Sequence, residues 1–205
     1  MSNETKPSTF ETIRPVIVLV AICAVAGTLL GVVHDITQPI ADAIAEERAQ
    51  ETYAALVPEA ASFESLDCTV EGCTAALAAQ DASGNAIGYV IVAQSKGYGG
   101  QVPIAVAFDL DGNVTSITAM ANGETPGLGT RVAEESYIGQ YVGLTAAPIT
   151  ADDIDLISGA TISSKAALSA FNIAVEAFEE VRYWLNRQSR LPRARRWARF
   201  SRAAS

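Results

Sequence analysis

Hydrophobic residues form one long uninterrupted block near the start of the chain. The segment from Val16 to Val33, VIVLVAICAVAGTLLGVV, contains 18 residues and no charge. An α-helix of about 20 apolar residues crosses a hydrocarbon core of ~30 Å, so the block is just long enough. The residues after it offer no small-residue cleavage site of the kind found in signal peptides. We predict an uncleaved transmembrane helix at residues 16–33, preceded by a short cytoplasmic segment at 1–15.

Beyond this block the apolar residues first keep helical spacing and then form short runs of strand character. Apolar residues recur at helical spacing from Ile40 to Leu56, and Pro39 and Pro58 fit the ends of a helix. Four short runs with strand character follow, in two pairs separated by turn-rich spacers. These runs are CTAALAAQ (73–80), AIGYVIVAQSK (86–96), VPIAVAFDL (102–110) and VTSITAMAN (114–122). The pattern predicts an antiparallel sheet made of two hairpins.

The second half of the chain returns to helical spacing. GTRVAEESYIGQYVG (129–143) predicts a short helix, and Ile162–Leu185 predicts a long amphipathic one. The residues expected to face inward are Val132, Tyr137 and Tyr141 in the first, and Ala166, Leu168, Phe171, Ile173, Val175, Phe178, Val181 and Trp184 in the second. The predicted fold class is therefore α+β: an N-terminal transmembrane helix, then an antiparallel-sheet domain with flanking helices over residues 34–186.

Charge is distributed unevenly along the chain. Between Asp35 and Val181 there are 21 acidic and four basic side chains. This part repels polyanions, so nucleic acid is not an expected partner. Two basic residues precede the apolar block and only Arg48 follows it closely, which favours a cytoplasmic N-terminus and an extracytoplasmic domain at the cell membrane.

The end of the chain, residues 187–205, is a basic tail. From Arg182 onward there are eight arginines and no acidic residue, and Trp197 and Phe200 lie among them. Such interleaving is typical of a segment that rests on anionic lipid headgroups. A disordered tail without a function is the other open interpretation.

The chain offers few metal ligands. Its only histidine, His34, lies at the edge of the apolar block, and Asp109 and Asp111 lack the distal ligands of a calcium loop. We therefore expect no metal site. Cys68 and Cys73 enclose the residues TVEG and are the only thiols outside the block. In an exported domain they can close a small disulfide, or they can stay reduced.

The long C-terminal helix begins with an excess of hydroxyl groups. The run Ser158-Gly159-Ala160-Thr161 precedes Ile162, and Lys165 follows about one turn later. Gly159 permits a turn whose N–H groups converge with those of the helix start, where a phosphate is stabilised. Thr161 would lie close enough to carry such a phosphate as an ester. In the alternative interpretation a hydroxyl merely caps the helix.

Two glycine-rich loops precede this helix in the chain, one between the second and third predicted strands and one after the fourth. The first is Gly97-Tyr98-Gly99-Gly100, and the second is NGETPGLG, which ends at Gly129. Gly127 and Gly129 flank Leu128 in a predicted tight turn whose backbone can press against a flat ligand, with Glu124 and Thr125 beside it. Such loops are a plausible wall for an aromatic cofactor, and neither has the spacing of a nucleotide-binding fingerprint.

An apolar block, GYGG, a hairpin ending in DGN, ETPGLG and SGATISS, in this order, resemble the G subunit of the Rnf electron-transport complex. The C subunit of the sodium-pumping NADH:quinone oxidoreductase is related. The resemblance covers roughly Val16 to Trp184. It implies an FMN-binding domain with FMN joined by a phosphoester to Thr161 of the motif Ser158-Gly159-Ala160-Thr161, attached by a separate flavin transferase that uses FAD. Asp155 is the candidate for the acid that usually precedes this motif.

The same resemblance implies positions for the flavin ring and a role for the chain. The residues that it implies near the ring are Glu124, Thr125, Gly127, Leu128 and Gly129, with Tyr98, Gly99 and Gly100 nearby. Many family members have histidine where this chain has Asn122. No residue is implied as catalytic in its own right.

The leading hypothesis is an electron-carrying subunit of a membrane-bound, ion-translocating ferredoxin:NAD oxidoreductase, which works with the other subunits of that complex. The corresponding subunit of the quinone-reducing pump, a stand-alone FMN-domain protein and a non-redox anchored scaffold are the alternatives.

Overall fold

The computed structural model describes residues 9–120 and 122–189, so nearly all of the basic tail lies outside the described residues. The chain divides into two compact units, Met1–Gln50 and Glu51–Ser205. The first unit consists, where it is described, of most of helix α1, which runs from Thr9 to Leu56. Within α1, Val18–Gln38 is long and apolar enough to cross a membrane, with a mean hydropathy of 2.0.

Helix α1 differs from the predicted arrangement of two helices. Its backbone stays helical from residue 9 to residue 56, so the boundary predicted at Pro39 is wrong. Proline removes one hydrogen bond of the helix backbone; the long apolar and alanine-rich flanks supply helix propensity on both sides of it. The predicted end near Pro58 is confirmed, because the helix stops two residues before it.

The second unit is built on one antiparallel sheet of five strands in the order β1-β2-β3-β4-β5. The strands are β1 Ser62–Leu66, β2 Cys73–Gln80, β3 Ala86–Lys96, β4 Gln101–Phe108 and β5 Val114–Ala119. The four predicted strands are confirmed. Strand β1 was not predicted. It is a short edge strand with a mostly exposed, partly charged sequence, and it pairs with β2.

Two hairpins use the same turn. In the first, Asp81 accepts hydrogen bonds from the backbone N–H groups of Ser83 and Asn85 at 2.8 and 2.9 Å. In the second, Asp109 accepts from the backbone and side-chain N–H groups of Asn113 at 2.7 and 2.8 Å. The glycine before each asparagine has a positive φ, which explains its place in the turn. The oxygens of Asp109 are thus used within the turn, and the hairpin prediction is confirmed.

Helix α3, Thr161–Ser189, packs across one face of the sheet. The core lies between them and includes Phe178, which stacks on Phe108 with ring centroids 4.6 Å apart. Between β5 and α3 lie two 3-10 turns, Gly129–Ala133 and Gly139–Tyr141, around the short helix α2, Glu135–Ile138.

Most predicted inward residues of these helices are buried. Trp184 is a correction, since it is 42% exposed. It lies near the end of α3, past the last fully covered turn at Val181. A smaller apolar cluster on the other face of the sheet contains Leu56, Val90 and Ala105. The predicted α+β class is confirmed.

Candidate functional site

Three segments meet at one edge of the sheet. In an antiparallel sheet β3 and β5 run in the same direction, so both end where β4 begins. Lys96 pairs with Gln101 there, and Ala119 pairs with Ile104. The loop 97–100 and the segment 122–128 therefore leave the sheet side by side. The first turn of α3 reaches the second of these segments through the hydrogen bond from Ser163 to Glu124, and Glu124 in turn accepts from Gly99 in the loop 97–100.

These segments enclose a cavity of about 370 Å³. This volume lies within the range typical of small-ligand sites. The lining residues are Tyr98, Glu124, Thr125, Leu128, Gly129, Gly159, Ala160, Thr161, Ile162 and Ser163. Eight of them were predicted from the sequence. Ile162 and Ser163 were not, and five predicted residues do not line the wall, namely Ser158, Gly99, Gly100, Gly127 and Lys165.

The hydroxyl groups at the start of α3 have different tasks. Ser164 is buried, donates to the carbonyl oxygen of Ala160 at 2.9 Å and accepts from the N–H of Ile157 at 3.2 Å. Ser163 is also buried and donates to Glu124 at 2.6 Å. Ser158 is exposed away from the cavity. Of these four residues, only Thr161 meets three conditions together. It is exposed, it lines the cavity, and its hydroxyl has no hydrogen-bond partner among the described residues.

The backbone at this helix start suits an anion. Helix α3 begins at Thr161, and the N–H groups of residues 161–163 have no carbonyl one turn earlier to bind. Together with the helix dipole they place partial positive charge at the cavity wall. Gly159 has φ +82 and nothing within 4 Å of an added Cβ, so it is needed for conformation rather than for space. Lys165 is exposed and outside the wall.

Glu124 is the charged group that joins the three segments. Its side chain accepts a hydrogen bond from the N–H of Gly99 at 3.0 Å as well as the one from Ser163. The residue is only 5% exposed. Burial favours the neutral carboxyl, but the hydrogen bonds from Ser163 and the N–H groups of residues 98–100 outweigh it and lower the pKa of Glu124. Glu124 is therefore a buried carboxylate held by donors.

The glycines around Glu124 make room for it. An added Cβ at Gly97 or Gly129 would collide with a carboxylate oxygen of Glu124. The missing side chain of Gly129 therefore leaves room for Glu124, and Gly129 also lines the cavity, where the sequence predicts contact with a flat ligand. Gly127, with φ +76, follows Pro126 in a turn closed by the Leu128 N–H and the Thr125 carbonyl at 3.1 Å, and the predicted tight turn is confirmed.

The rim of the cavity is apolar. Tyr98, Leu128 and Ile162 line it and are 74%, 51% and 56% exposed. Exposed large apolar side chains grouped at a concave site are typical of a ligand or partner contact. The rim and the helix start together can accept a molecule with a flat apolar part and an anionic end.

Asn122 has a structural role in the same segment. Its side-chain oxygen accepts from the N–H of Glu124 at 3.1 Å, and its amide group donates to the carbonyl of Met120 at 3.3 Å. Asn122 is not part of the cavity wall. The amide therefore orients the segment that carries Glu124.

Ser163 is the buried one of the two lining residues that were not predicted. Helical spacing offered a signal, because Ser163 precedes Ala166, Ala167 and Ala170 by three, four and seven residues. All three alanines are buried. A serine on that face must be buried too and needs a partner. Its partner, Glu124, lies 39 residues earlier in the chain.

Glu124→Gln is expected to lower stability at pH 7 by about 2 kcal/mol, because hydrogen bonds to a charged acceptor are lost. The folded-state pKa of Glu124 is depressed, so its contribution is complete above its ordinary value of 4.5 and disappears as pH falls through the folded-state pKa. Thermal unfolding of the full-length chain between pH 7 and pH 3 should show a shallower acid loss in the variant. The exposed Glu59→Gln serves as control, and a parallel pair of wild-type and Glu124→Gln curves would contradict the assignment.

The class of protein is that of cofactor-binding domains. The FMN-binding domain family matches residues 97–176, the part of the chain that contains the cavity. The chain is 31% identical over 176 residues to the G subunit of the ion-translocating oxidoreductase complex of Methanosarcina acetivorans, covering 81% of this chain and 94% of that protein. It is 34% identical over 161 residues to the G subunit of the proton-translocating ferredoxin:NAD(+) oxidoreductase complex of Clostridium ljungdahlii, covering 75% and 84%. The chain belongs to this family of G subunits, as its motifs predicted.

Among solved structures, the chain is similar to NqrC of Shewanella oneidensis. The sequence identity is 18%, the TM-score is 0.46, and the match covers 64% of this chain and 74% of the other.

Proposed function

We propose that this protein is the electron-carrying flavoprotein subunit of a membrane-bound, ion-translocating ferredoxin:NAD oxidoreductase, with FMN joined to Thr161 through a phosphoester. Family membership supports the redox role over the scaffold alternative. The single observation that carries the attachment site is the position of Thr161. It has the one hydroxyl in its motif that reaches the cavity without a hydrogen-bond partner in the described chain.

The residues of the cavity fit FMN. The N–H groups of residues 161–163 would hold the phosphate, and the apolar rim of Tyr98, Leu128 and Ile162 would cover part of the ring system. Bound FMN supplies one- or two-electron transfer, which lets it connect carriers of both kinds. The protein would position the cofactor and hold the negative charge of Glu124 in the cavity wall. It would also shield one part of the cavity from water.

Attachment requires a second protein. The motif Ser158–Thr161 is the expected recognition site of a flavin transferase, with Asp155 before it. In this transfer Thr161 Oγ1 would form a bond to the FMN phosphorus of FAD, and the bond from that phosphorus to the bridging oxygen would break. AMP would leave with the bridging oxygen, and the threonine hydroxyl would release its proton. Asp155 is exposed, and its backbone exchanges hydrogen bonds with the side chain of Gln140 at 2.7 and 3.3 Å. The segment before the motif is therefore exposed and held in place by Gln140, which supports its recognition by a transferase in the folded domain.

The membrane arrangement belongs to the same proposal. The domain lies outside the cytoplasm, with the apolar part of α1 in the membrane and the N-terminus inside, as the distribution of basic residues favours. A covalent bond prevents loss of the cofactor where no flavin pool replaces it. We include in this proposal that the basic tail binds anionic lipid headgroups, because each arginine near an anionic surface contributes ~1 kcal/mol.

The test is the full-length chain co-expressed with a flavin transferase. After denaturing electrophoresis the band is expected to fluoresce as flavin, and the intact mass should exceed that of the bare chain by one FMN less one water. The chain made without the transferase should give neither signal. A bare mass from co-expression with a transferase that modifies a known substrate in the same cells would refute the attachment.

A further inference from the structure

Cys68 and Cys73 lie at the two ends of a tight turn outside the flavin cavity. Cys73 is the first residue of β2, and its N–H donates to the carbonyl of Val70 at 3.1 Å. Gly72 has φ +90, and its carbonyl accepts from the N–H of Gln94 on β3 at 2.8 Å. The turn is therefore fixed to the sheet. Both cysteines are half-buried thiols that pack against the main core.

Helix α3 holds the same turn from the other side. The carboxylate of Glu180 accepts from the hydroxyl of Thr69 at 2.5 Å and from its N–H at 3.2 Å. The thiol of Cys68 donates to the same carboxylate at 3.9 Å. The thiol of Cys73 donates to the carbonyl of Ala75 at 3.7 Å and also interacts with the thiol of Cys68. The two thiols are therefore neighbours at the ends of one turn.

We propose that Cys68 and Cys73 form an intramolecular disulfide by exchange with a low-molecular-weight or protein disulfide. The Cys68 sulfur loses its proton, attacks one sulfur of the oxidant and releases the other as a thiol. The Cys73 sulfur then loses its proton, attacks the Cys68 sulfur of this mixed disulfide and releases the second thiol. One protein S–S bond forms, one oxidant S–S bond breaks, and the oxidant is reduced to two thiols.

The surroundings of the two sulfurs set the order of attack. Burial raises the pKa of Cys73 to about 12, with further contributions from Cys68 and from the negative charge of Glu180. Because the thiolate is the attacking species, Cys73 is a poor first nucleophile at neutral pH. It needs only to resolve a mixed disulfide on Cys68, where proximity compensates for its low ionisation. The bond that results closes a short turn already held by the hydrogen bonds between Thr69 and Glu180, so we assign it a structural role.

The test uses the full-length chain with Cys23→Ala, which leaves only this pair of thiols. The reduced protein in detergent is exposed to oxidised glutathione, quenched with acid, denatured and treated with N-ethylmaleimide. Intact mass is expected to show two maleimide groups before oxidation and none after it, with the monomer retained on a non-reducing gel. Two maleimides, a lasting glutathione adduct or an intermolecular dimer after oxidation would overturn the proposal.

Two single variants test the order of attack. In the same background, Cys73→Ser is expected to trap glutathione on Cys68. Cys68→Ser should collect less adduct on Cys73, because burial, which the substitution leaves in place, is the largest cause that raises the pKa of the Cys73 thiol. Equal adducts on the two variants would contradict the assigned order. Neither result depends on flavin, so the outcome is separate from the test of the proposed function.

Discussion

Thr161→Ala is expected to abolish covalent flavin attachment, whereas Thr161→Ser is expected to retain it. The proposed bond needs an oxygen at the start of α3 that faces the cavity and has no other hydrogen-bond partner. Alanine removes that oxygen, and serine keeps it. Because Thr161 is exposed, neither change should unfold the domain. Flavin fluorescence of the denatured band and intact mass measure the result after co-expression with the transferase.

Ser169→Ala is the matched control for this experiment. Ser169 is an exposed serine on the same helix α3, outside both the motif 158–161 and the cavity wall. Its variant should keep the covalent flavin. Ser163→Ala is unsuitable as a neutral control, because Ser163 is buried and donates to Glu124 at 2.6 Å. Full attachment in Thr161→Ala, or its loss in both Thr161→Ala and Thr161→Ser, would argue against the hydroxyl as the acceptor.

The strands were predictable where both faces of the sheet are covered. Val90, Ile91, Val92 and Ala93 on β3 are all buried, because their alternating side chains enter apolar clusters on opposite faces. Such a strand reads as a continuous apolar run. The edge strand β1 buries little and carries a glutamate, so its formation depends on pairing with β2. The residues of β1 alone give no signal of this pairing, so the strand could not be predicted from them.

The motifs that form the site were predictable, but the hydrogen bonds that join them were not. Helix propensity and the SGAT run located the start of α3 to within one residue. The orientation of Glu124 depends instead on donors from two remote segments, Gly99 and Ser163. These three meet only because the ends of β3 and β5 share one edge of the sheet. Sequence spacing therefore grouped the right loops, but it gave no sign that Gly129 also leaves room for Glu124.

Gly99→Ala is expected to destabilise the domain by about 2 kcal/mol, within the range for overpacking. An added Cβ would collide with the carbonyl oxygen of Gly123 and lie 3.2 Å from Cα of Glu124. Both are backbone atoms, so no side chain can rotate away. Relief requires movement of the loop 97–100, which also weakens the 3.0 Å hydrogen bond from Gly99 to Glu124. For a domain of this size, the midpoint of thermal unfolding should fall by roughly 5 °C.

Gly100→Ala is the matched comparison, one residue further along the same loop. Nothing lies within 4 Å of its added Cβ, and neither glycine has a positive φ. The two variants therefore differ in steric contact and not in backbone strain, and Gly100→Ala should change stability by less than about 0.5 kcal/mol. Covalent flavin measured at an early, limiting time should fall in Gly99→Ala and stay near the wild-type level in Gly100→Ala. Equal effects of the two substitutions would mean that the loop tolerates displacement. They would also mean that Glu124 does not link the position of the loop to the shape of the cavity.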